Sequence, residues 1–310
     1  MVDPIKVKNY FNENSESWVK DAYKHAGCNY LTPFHRVRVV KNIIKKLENI
    51  QSLLDVGCGA GHLALSIADL GIQVRGIDQN KKMIQQSQTA LSRLTESNSG
   101  LLSFELKSVD ELGLEENNYD AITAMGVIGY LNSDEALFKA ASRNLSQHGY
   151  LIVSFRNRLF NLFSISKRTL AEVNKGTFGQ LMEEIDKLYE KIDNKIIFDF
   201  ISELHAVTGE ILEDKKLLLE SNQSPQEEFF TSDIEARQTA PRDAEKTAKK
   251  CGFESISFTG IHPHLSVPKL NKILPPQIYN RLCDSLIPFE NSPESLLWSS
   301  VFIGVFQKTE

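Results

Sequence analysis

The chain has 310 residues, of which 41% are hydrophobic, enough for one large domain or for a domain with a substantial insertion. Its formal net charge is −5, without the basic stripe that a nucleic-acid backbone requires, so we expect no nucleic-acid partner. No stretch is apolar for long enough to cross a bilayer, which predicts no membrane partner, and four widely spaced cysteines without a Cys-x-x-Cys pair predict reduced thiols in a cytoplasmic protein without a metal site.

The first 50 residues predict a helical cap. Residues 10–30 are aromatic-rich without one clean period, whereas the apolar side chains between 34 and 47 recur at helical spacing. Strand-like and helix-like segments then alternate. Strands are predicted at 52–56, 74–78, 102–106, 119–125 and 150–155, and helices at 62–70, 83–91 and 134–145. This alternation is typical of an α/β fold with a Rossmann-like, doubly wound sheet.

The alternation breaks after Arg156. Residues 158–238 are mostly helical in character and predict a helical lid inserted into the sheet domain. A helix that starts near Pro241 and strands at 254–261 and 299–306 then complete a mostly parallel, seven-stranded sheet. We expect three units, which are a cap over 1–50, a Rossmann-like domain over 51–157 and 239–310, and the lid over 158–238.

A glycine-rich loop follows the first predicted strand, in the sequence LLDVGCGAG at 53–61. Glycines in such a turn let the backbone approach a ligand closely, and the next helix offers free N–H donors. Dinucleotide enzymes use a similar loop, so the glycines alone leave the ligand open. Asp55 precedes the loop and Asp78 ends the second strand, where a carboxylate can accept both ribose hydroxyl protons.

With the motif LDVGCGAG, the chain resembles the class I S-adenosylmethionine-dependent methyltransferases, whereas dinucleotide enzymes usually have Gly-x-Gly-x-x-Gly. The resemblance covers 50–157 and extends to 239–307. It implies S-adenosyl-L-methionine as cofactor, with the loop against its amino-acid part and Asp78 on its ribose. Residues 34–37 also resemble the segment before the first strand in ubiquinone-type O-methyltransferases, which implies that Arg36, or Arg38 in its place, approaches the cofactor carboxylate. The cofactor-binding residues implied in this way are Arg36, Asp55, Gly57, Cys58, Gly59, Gly61, Asp78, Gln79, Met83, Val109, Asp110 and Met125.

Methyl transfer to a hydroxyl requires an oriented acceptor and usually a base. His262 and His264 follow the predicted sixth strand, and loops after parallel strands face the ligand crevice. His205 lies in the predicted lid. We expect one of these three histidines to act as the base if the lid folds back across the sheet edge, with Tyr130 as an orienting hydroxyl.

The predicted substrate-binding residues are Tyr23, Tyr30 and Arg156. Arg156 and Arg158 leave the carboxyl end of the fifth strand, where guanidinium groups can recognise an anionic acceptor, although a solvated turn is the alternative. No Asn-Pro-Pro-Tyr or Asp-Pro-Pro-Tyr follows the fourth strand, where methyltransferases acting on bases carry it. This favours a small-molecule acceptor.

The sequence therefore predicts an S-adenosylmethionine-dependent methyltransferase that acts on a hydroxyl of a small molecule such as a sugar derivative, a phenol or a secondary metabolite. An amine is the alternative acceptor group. Two other interpretations remain open from the loop itself: an NAD-dependent oxidoreductase on a similar sheet, and a non-catalytic regulatory protein that binds the cofactor.

Overall fold

Seven strands form one sheet in the order β3-β2-β1-β4-β5-β7-β6. In the computed structural model, which describes residues 4–15, 32–92, 100–114, 116–214, 236–265, 267–268 and 274–309, the strands are β1 (Ser52–Val56), β2 (Gln73–Asp78), β3 (Leu102–Leu106), β4 (Tyr119–Ala124), β5 (Leu145–Arg156), β6 (Phe253–Pro263) and β7 (Ser299–Lys308). All pairs among β1 to β5 are parallel, and β7 is antiparallel to β5 and to β6. The predicted mostly parallel, seven-stranded α/β sheet is confirmed.

Helices cover both faces of this sheet. They are α1 (Pro4–Glu13), α2 (Thr32–Lys46), α3 (His62–Ala68), α4 (Lys81–Leu91), α5 (Val109–Leu112), α6 (Asp134–Asn144), α7 (Phe160–Ser164), α8 (Lys167–Asn174), α9 (Phe178–Tyr189), α10 (Asn194–Glu213), α11 (Pro241–Lys250), α12 (Pro276–Asp284) and α13 (Ser295–Trp298). Leu53 and Leu54 of β1 are both fully buried, although successive strand side chains point to opposite faces. The central strands are mostly apolar because both faces are covered. Among the residues with assigned positions, no helix is both long and apolar enough to cross a membrane.

The strand order reverses between β1 and β4. From β1 the chain adds β2 and β3 on one side, whereas β4 and β5 extend the sheet on the other. In open α/β sheets the ligand crevice lies beyond the carboxyl ends of the strands at such a reversal. The fold therefore places the glycine loop after β1 at the position where a ligand is expected.

Aromatic packing fixes which way the end of β5 faces. Phe155 is fully buried and stacks on Phe302 of β7, with ring centroids 4.9 Å apart. Because side chains alternate along a strand, this packing turns Ser154 and Arg156 together towards the opposite face. Both of these residues border the cavity described below.

Strands β5 and β6 extend furthest beyond their predicted bounds. β5 begins at Leu145, which pairs with Tyr119 before a register shift, and β6 continues through His262 to Pro263, which pairs with Ser299. The extra length of β6 comes from its pairing with β7, a long-range contact that local periodicity does not contain.

The insertion starts and ends at one place beside β5. Asn157 forms a parallel bridge with Thr239, the Thr239 N–H donates to the Arg156 carbonyl at 3.0 Å, and the Arg158 N–H donates to the Thr239 carbonyl at 3.1 Å. Helices α7 to α10 lie between these paired ends.

A partly buried ion pair holds the first part of the insertion. The Arg158 guanidinium donates two hydrogen bonds to Glu172 of α8, at 2.9 and 2.7 Å, and Asn161 and Thr177 also donate to this carboxylate. The hydrogen bond from Arg158 is the main cause that lowers the pKa of Glu172 to about 2. The native fold therefore strongly favours the ionised carboxylate.

Glu172→Gln is expected to lower the free energy of unfolding near neutral pH by about 2–3 kcal/mol, because it removes the carboxylate that accepts two hydrogen bonds from Arg158 and leaves the longer contact with Asp243, at 3.6 Å. The folded pKa of Glu172 lies below its ordinary value of 4.5, so its contribution is present above that value and is lost as the pH falls towards about 2. The difference between the wild type and the variant, measured by urea unfolding, should shrink on acidification.

Glu135→Gln is the matched control, because Glu135 forms its ion pairs with Lys139 and Lys250 at the exposed surface. It should change stability less than Glu172→Gln. A difference for Glu172→Gln that stays constant between neutral and acidic pH would contradict the role of the Arg158–Glu172 pair.

Candidate functional site

A cavity of about 300 Å³ lies beyond the carboxyl ends of β1, β2, β4 and β5. It is partly open and is bordered by polar groups at both ends, including Asp78 and Arg156. All of the cofactor-binding residues expected from the sequence line it except Asp55 and Gly61. The strand order thus brings together expected cofactor-binding residues as distant in sequence as Arg36 and Met125, which are 89 positions apart and face the same space.

The glycine loop needs backbone conformations that favour glycine. Gly57 and Gly59, with φ of 68° and 55°, both line the cavity, whereas Gly61, with φ of 84°, precedes α3 outside the lining. A Cβ on Gly57 would lie 2.2 Å from a methyl carbon of Val127, so no larger residue fits there without a shift. The loop forms a glycine cradle, with its backbone exposed to the cavity. Cys58 also lines the cavity.

Asp78 joins the loop to the next helix. One carboxylate oxygen accepts the Gly59 N–H at 3.0 Å, and the other accepts the Asn80 N–H at 2.8 Å. The Asn80 side chain in turn caps α4 by accepting the N–H groups of Lys82 and Met83. Burial raises the pKa of Asp78, and the hydrogen bonds from Asn80 and Gly59 partly offset this.

Asp55 lies beneath the loop and outside the cavity lining. Its side chain is buried, and one oxygen accepts a hydrogen bond from the Thr123 hydroxyl at 2.7 Å. Burial raises the pKa of Asp55 to about 7, with a further contribution from the negative charge of Asp78 and an opposing one from Thr123. Ionising such a buried carboxyl costs stability, and groups of this kind are typical of functional sites.

At the β3 end of the cavity, a capping box positions α5. The Ser108 hydroxyl accepts the Glu111 N–H, and the Glu111 carboxylate accepts from the Ser108 backbone. Val109 and Asp110, the first residues of this helix, therefore line the cavity. Gln79 and Met83, after β2, line the adjacent wall.

At the β4 end of the cavity, Arg36 approaches Gly126, a second glycine whose backbone is exposed to the cavity. Gly126 has φ of 76°, and its N–H donates to the Ser154 hydroxyl at 2.8 Å. The Arg36 Nη1 atom lies 2.8 Å from where a Cβ on Gly126 would stand. Arg38, the alternative to Arg36, instead forms an ion pair with Glu290 and does not line the cavity.

Tyr130 and Arg156 form the outer wall. Arg156 Nη2 donates to the Tyr130 hydroxyl at 3.3 Å, and the ring of Phe11 meets the Tyr130 ring edge-on at a centroid distance of 5.6 Å. Phe11 belongs to α1, so the N-terminal helix covers this part of the cavity. Tyr23 and Tyr30, also expected to bind substrate, lie outside the described residues.

The three candidate histidines do not line the cavity, in contrast to their expected convergence over it. His205 is exposed on α10. His262 and His264 are buried with ring centroids 4.6 Å apart, and His262 Nδ1 and Nε2 lie 2.6 and 3.3 Å from the hydroxyls of Ser300 and Tyr279. The reason is the strand order, because β6 is an edge strand that β7 separates from β5. Burial lowers the pKa of both histidines, to about 4 for His264.

Sequence reasoning did not find three residues that shape the cavity, Phe11, Gly126 and Ser154. Ser154 could have been found from its position two residues before Arg156, which places both on one strand face. The role of Gly126 depends on Arg36, and that of Phe11 on how α1 docks, and neither contact leaves a local signal in the sequence.

Comparison with known proteins identifies similar chains. Residues 54–153 match a methyltransferase domain model, a span that runs from β1 to β5. Over 180 residues, 56% of this chain and 71% of the relative, the sequence is 27% identical to the ubiquinone biosynthesis O-methyltransferase of Hydrogenovibrio crunogenus. Over 116 residues, 37% of this chain and 46% of the relative, it is 32% identical to the protein of that name from Xanthomonas axonopodis pv. citri.

Solved structures share the fold. Magnesium protoporphyrin IX methyltransferase from Synechocystis PCC 6803, with bound SAH, superposes with a TM-score of 0.55 over 98% of this chain and 99% of that chain, at 14% identity. Phosphoethanolamine N-methyltransferase 2 of Haemonchus contortus gives a TM-score of 0.54 over 99% of this chain and 60% of that one, at 15% identity. At such low identity the likeness concerns the fold.

Asp55→Asn is expected to stabilise the ligand-free protein more as the pH rises. The folded pKa of Asp55, about 7, lies above its ordinary value of 3.8, so the native state holds this proton more tightly and wild-type stability falls across that interval. Asparagine does not titrate and can still accept from Thr123. The difference in the free energy of unfolding should therefore move in favour of the variant by about 2–4 kcal/mol between about pH 4 and pH 8.

Urea unfolding at several pH values measures this difference. Asp69→Asn, at an exposed carboxylate, is the control and should show little pH-dependent change. If the Asp55→Asn difference does not vary with pH, the buried carboxyl titrates as it does in the unfolded chain and the argument fails.

Proposed function

Because this chain is a class I S-adenosylmethionine-dependent methyltransferase, we propose that it transfers the methyl group to a hydroxyl of a small molecule. Membership in that family sets aside the oxidoreductase and the non-catalytic binding protein. The proposal rests on one observation. A single cavity contains the glycine cradle and, beyond Arg36, the polar wall of Tyr130 and Arg156. The relatives named as O-methyltransferases support oxygen as the accepting atom, with an amine as the alternative.

The residues around the cradle fit S-adenosyl-L-methionine. The space that a Cβ on Gly57 would fill suits close backbone contact, Asp78 offers carboxylate oxygens for ribose hydroxyls, and Arg36 offers a guanidinium for the carboxylate of the amino-acid part. We propose the same cofactor set as the sequence implied. Its members are Arg36, Gly57, Cys58, Gly59, Asp78, Gln79, Met83, Val109, Asp110 and Met125 from the cavity lining, with Asp55 and Gly61 behind the loop.

A small acceptor suits the size of the cavity and the chain's net charge of −5. Sugar derivatives, phenols and secondary metabolites remain the proposed classes. The insertion at 158–238 is proposed as a lid, since it leaves the sheet directly after Arg156 and returns near Ala236, which also lines the cavity. Such a lid would exclude water from the acceptor.

When bound, the cofactor supplies an activated methyl group on a sulfonium centre. The protein's task is to bring an acceptor oxygen in line with it and to allow the hydroxyl proton to leave. Tyr130 is proposed to position the acceptor, because among the four candidate catalytic side chains it is the one that borders the cavity in the described part of the chain. His262 and His264 lie behind the wall, and His205 would reach the acceptor only if α10 moved.

Asp78→Ala is expected to weaken binding of S-adenosylmethionine and S-adenosylhomocysteine by about 1.5–3 kcal/mol, because it removes a charged hydrogen-bond acceptor for the ribose. Calorimetric titration measures the affinity, and NAD should not bind to the wild type. Asp69→Ala, at an exposed carboxylate outside the cavity lining, is the control. Unchanged affinity in a folded Asp78→Ala protein would remove Asp78 from the ribose site.

Tyr130→Phe is expected to lower single-turnover rates by about tenfold to a hundredfold, because the acceptor loses a positioning hydroxyl. S-adenosylhomocysteine affinity should stay the same. The assay follows methyl-labelled cofactor with a pool of small metabolites, and Tyr189→Phe, at an exposed tyrosine of α9, is the control.

Alanine variants at His205, His262 and His264 complete this test. A fall of about two orders of magnitude or more in one of them, with intact cofactor binding and normal turnover in Tyr130→Phe, would assign the base to that histidine. It would also mean that the acceptor approaches from the side of β6 or of the insertion.

A further inference from the structure

Helix α2 carries two arginines close together in the sequence, and the structure gives them different surroundings. Arg36 lines the cavity, with its Nη1 atom 2.8 Å from where a Cβ on Gly126 would stand. Arg38 lies outside the cavity lining and forms an ion pair with Glu290, in the segment between β6 and β7. The helix therefore presents one arginine to the cavity and holds the other at the edge of the sheet.

The geometry of an α-helix links the directions of these two side chains. Successive residues are rotated by about 100°, which places positions 36 and 38 about 160° apart around the axis. Arg36 lies one turn before Val40, which is fully buried in the core, so Arg36 extends the buried face of α2 towards the cavity. A contact that fixes Arg38 thus also fixes the rotation of α2, and with it the direction of Arg36.

The contact between Arg38 and Glu290 is made at two points. Arg38 Nη1 donates to Glu290 Oε1 at 3.1 Å, and Nη2 donates to Oε2. The two side chains are 25% and 13% exposed, so water has little access to the pair. A bidentate pair of guanidinium and carboxylate fixes orientation as well as distance. The pair between Lys41 of α2 and the exposed Asp69, at 3.7 Å, constrains the helix less.

Glu290 is itself fixed to the sheet. Its carbonyl accepts the Gly260 N–H of β6 and the Ser295 hydroxyl, each at 2.8 Å. The next residue, Asn291, accepts the Thr259 hydroxyl of β6 at 2.9 Å. A Cβ on Gly260 would lie 2.5 Å from the Ser295 hydroxyl oxygen, so the segment approaches β6 this closely because a glycine stands there. Strand β6 therefore supports the carboxylate that holds Arg38.

The ion pair also leaves the two arginines with different charges to offer. Glu290 neutralises the charge of Arg38, whereas no side chain in the described part of the chain forms an ion pair with Arg36. A carboxylate that enters the cavity would therefore meet the guanidinium of Arg36 already oriented. Such preorganisation lowers the entropy lost on binding.

We propose that Glu290 is a positioning residue for the cofactor: by holding Arg38, it orients Arg36 towards the carboxylate of the amino-acid part of S-adenosylmethionine. The inference rests on the proposed function, because that function places this carboxylate at Arg36. Glu290 does not line the cavity, so it acts through helix α2 and touches neither the cofactor nor the acceptor.

Two ligands test this role by calorimetric titration. S-adenosylhomocysteine contains the amino-acid part, and methylthioadenosine lacks it. Glu290→Gln should weaken binding of S-adenosylhomocysteine by about fivefold to twentyfold and change the affinity for methylthioadenosine by less than about twofold. A merely structural role would weaken the binding of both ligands alike.

Arg38→Gln removes the same ion pair from the helix side and should give the same selective loss. Combining it with Glu290→Gln should weaken binding no further, because one pair is lost in each case. In an Arg36→Gln protein, Glu290→Gln should change the affinity for S-adenosylhomocysteine by less than about twofold, because the guanidinium that it orients is absent. Glu135→Gln, which breaks ion pairs at the exposed surface, is the matched control and should leave both affinities unchanged.

Equal weakening of both ligands in Glu290→Gln, or no weakening of S-adenosylhomocysteine in Glu290→Gln and Arg38→Gln, overturns the proposal. An undiminished effect of Glu290→Gln in the Arg36→Gln protein overturns it as well. Failure of S-adenosylhomocysteine to bind the wild type would instead contradict the proposed function, and unchanged affinity in Arg36→Gln would contradict the assignment of Arg36, so these failures are separable.

Discussion

The carboxylate of Asp78 connects the two elements on which the cavity depends. Its two oxygens hold the Gly59 N–H of the loop after β1 and the Asn80 N–H at the start of α4, across the junction between β1 and β2. Without this acceptor, the backbone N–H groups of the loop would need other hydrogen-bond partners. The exposed backbone of the glycines would then no longer be held in one position. The other residues around the cavity take their positions relative to that loop.

Two carboxyl groups affect the stability of this arrangement in opposite directions. Asp55 is buried under the loop with a raised pKa, whereas Glu172 is held by Arg158 with a lowered one. The carboxyl nearer the cavity therefore opposes folding when ionised, and the one in the insertion favours it. A protein keeps a group that destabilises the fold where ligand binding benefits from it. The contrast therefore distinguishes Asp55, in the binding region, from Glu172, which anchors the insertion.

The sequence predicted local features well, because their causes are local. The strand, the glycines and Asp78 lie within the 27 residues from 52 to 78, and their spacing alone specifies the loop and the carboxylate beside it. The seven-stranded sheet followed from alternation in the same way. The prediction placed the histidines of β6 near the cavity, whereas their distance from it depends on β7. That strand is 35 or more residues later in the chain and lies between β5 and β6. Phe11 depends similarly on the docking of α1, which no periodicity encodes.

The paired ends of the insertion have a consequence for how such a chain can change. Asn157 and Thr239 pair directly, so the backbone departs from the sheet and returns to it at nearly the same point. Closing a segment between two fixed, adjacent points costs entropy that rises only with the logarithm of its length. Residues can be gained, lost or exchanged there in descendants of this chain while β5 and β7 keep their register. The junction makes the insertion a replaceable unit, and recombination at the codons of its two paired ends, Asn157 and Thr239, would transplant it whole.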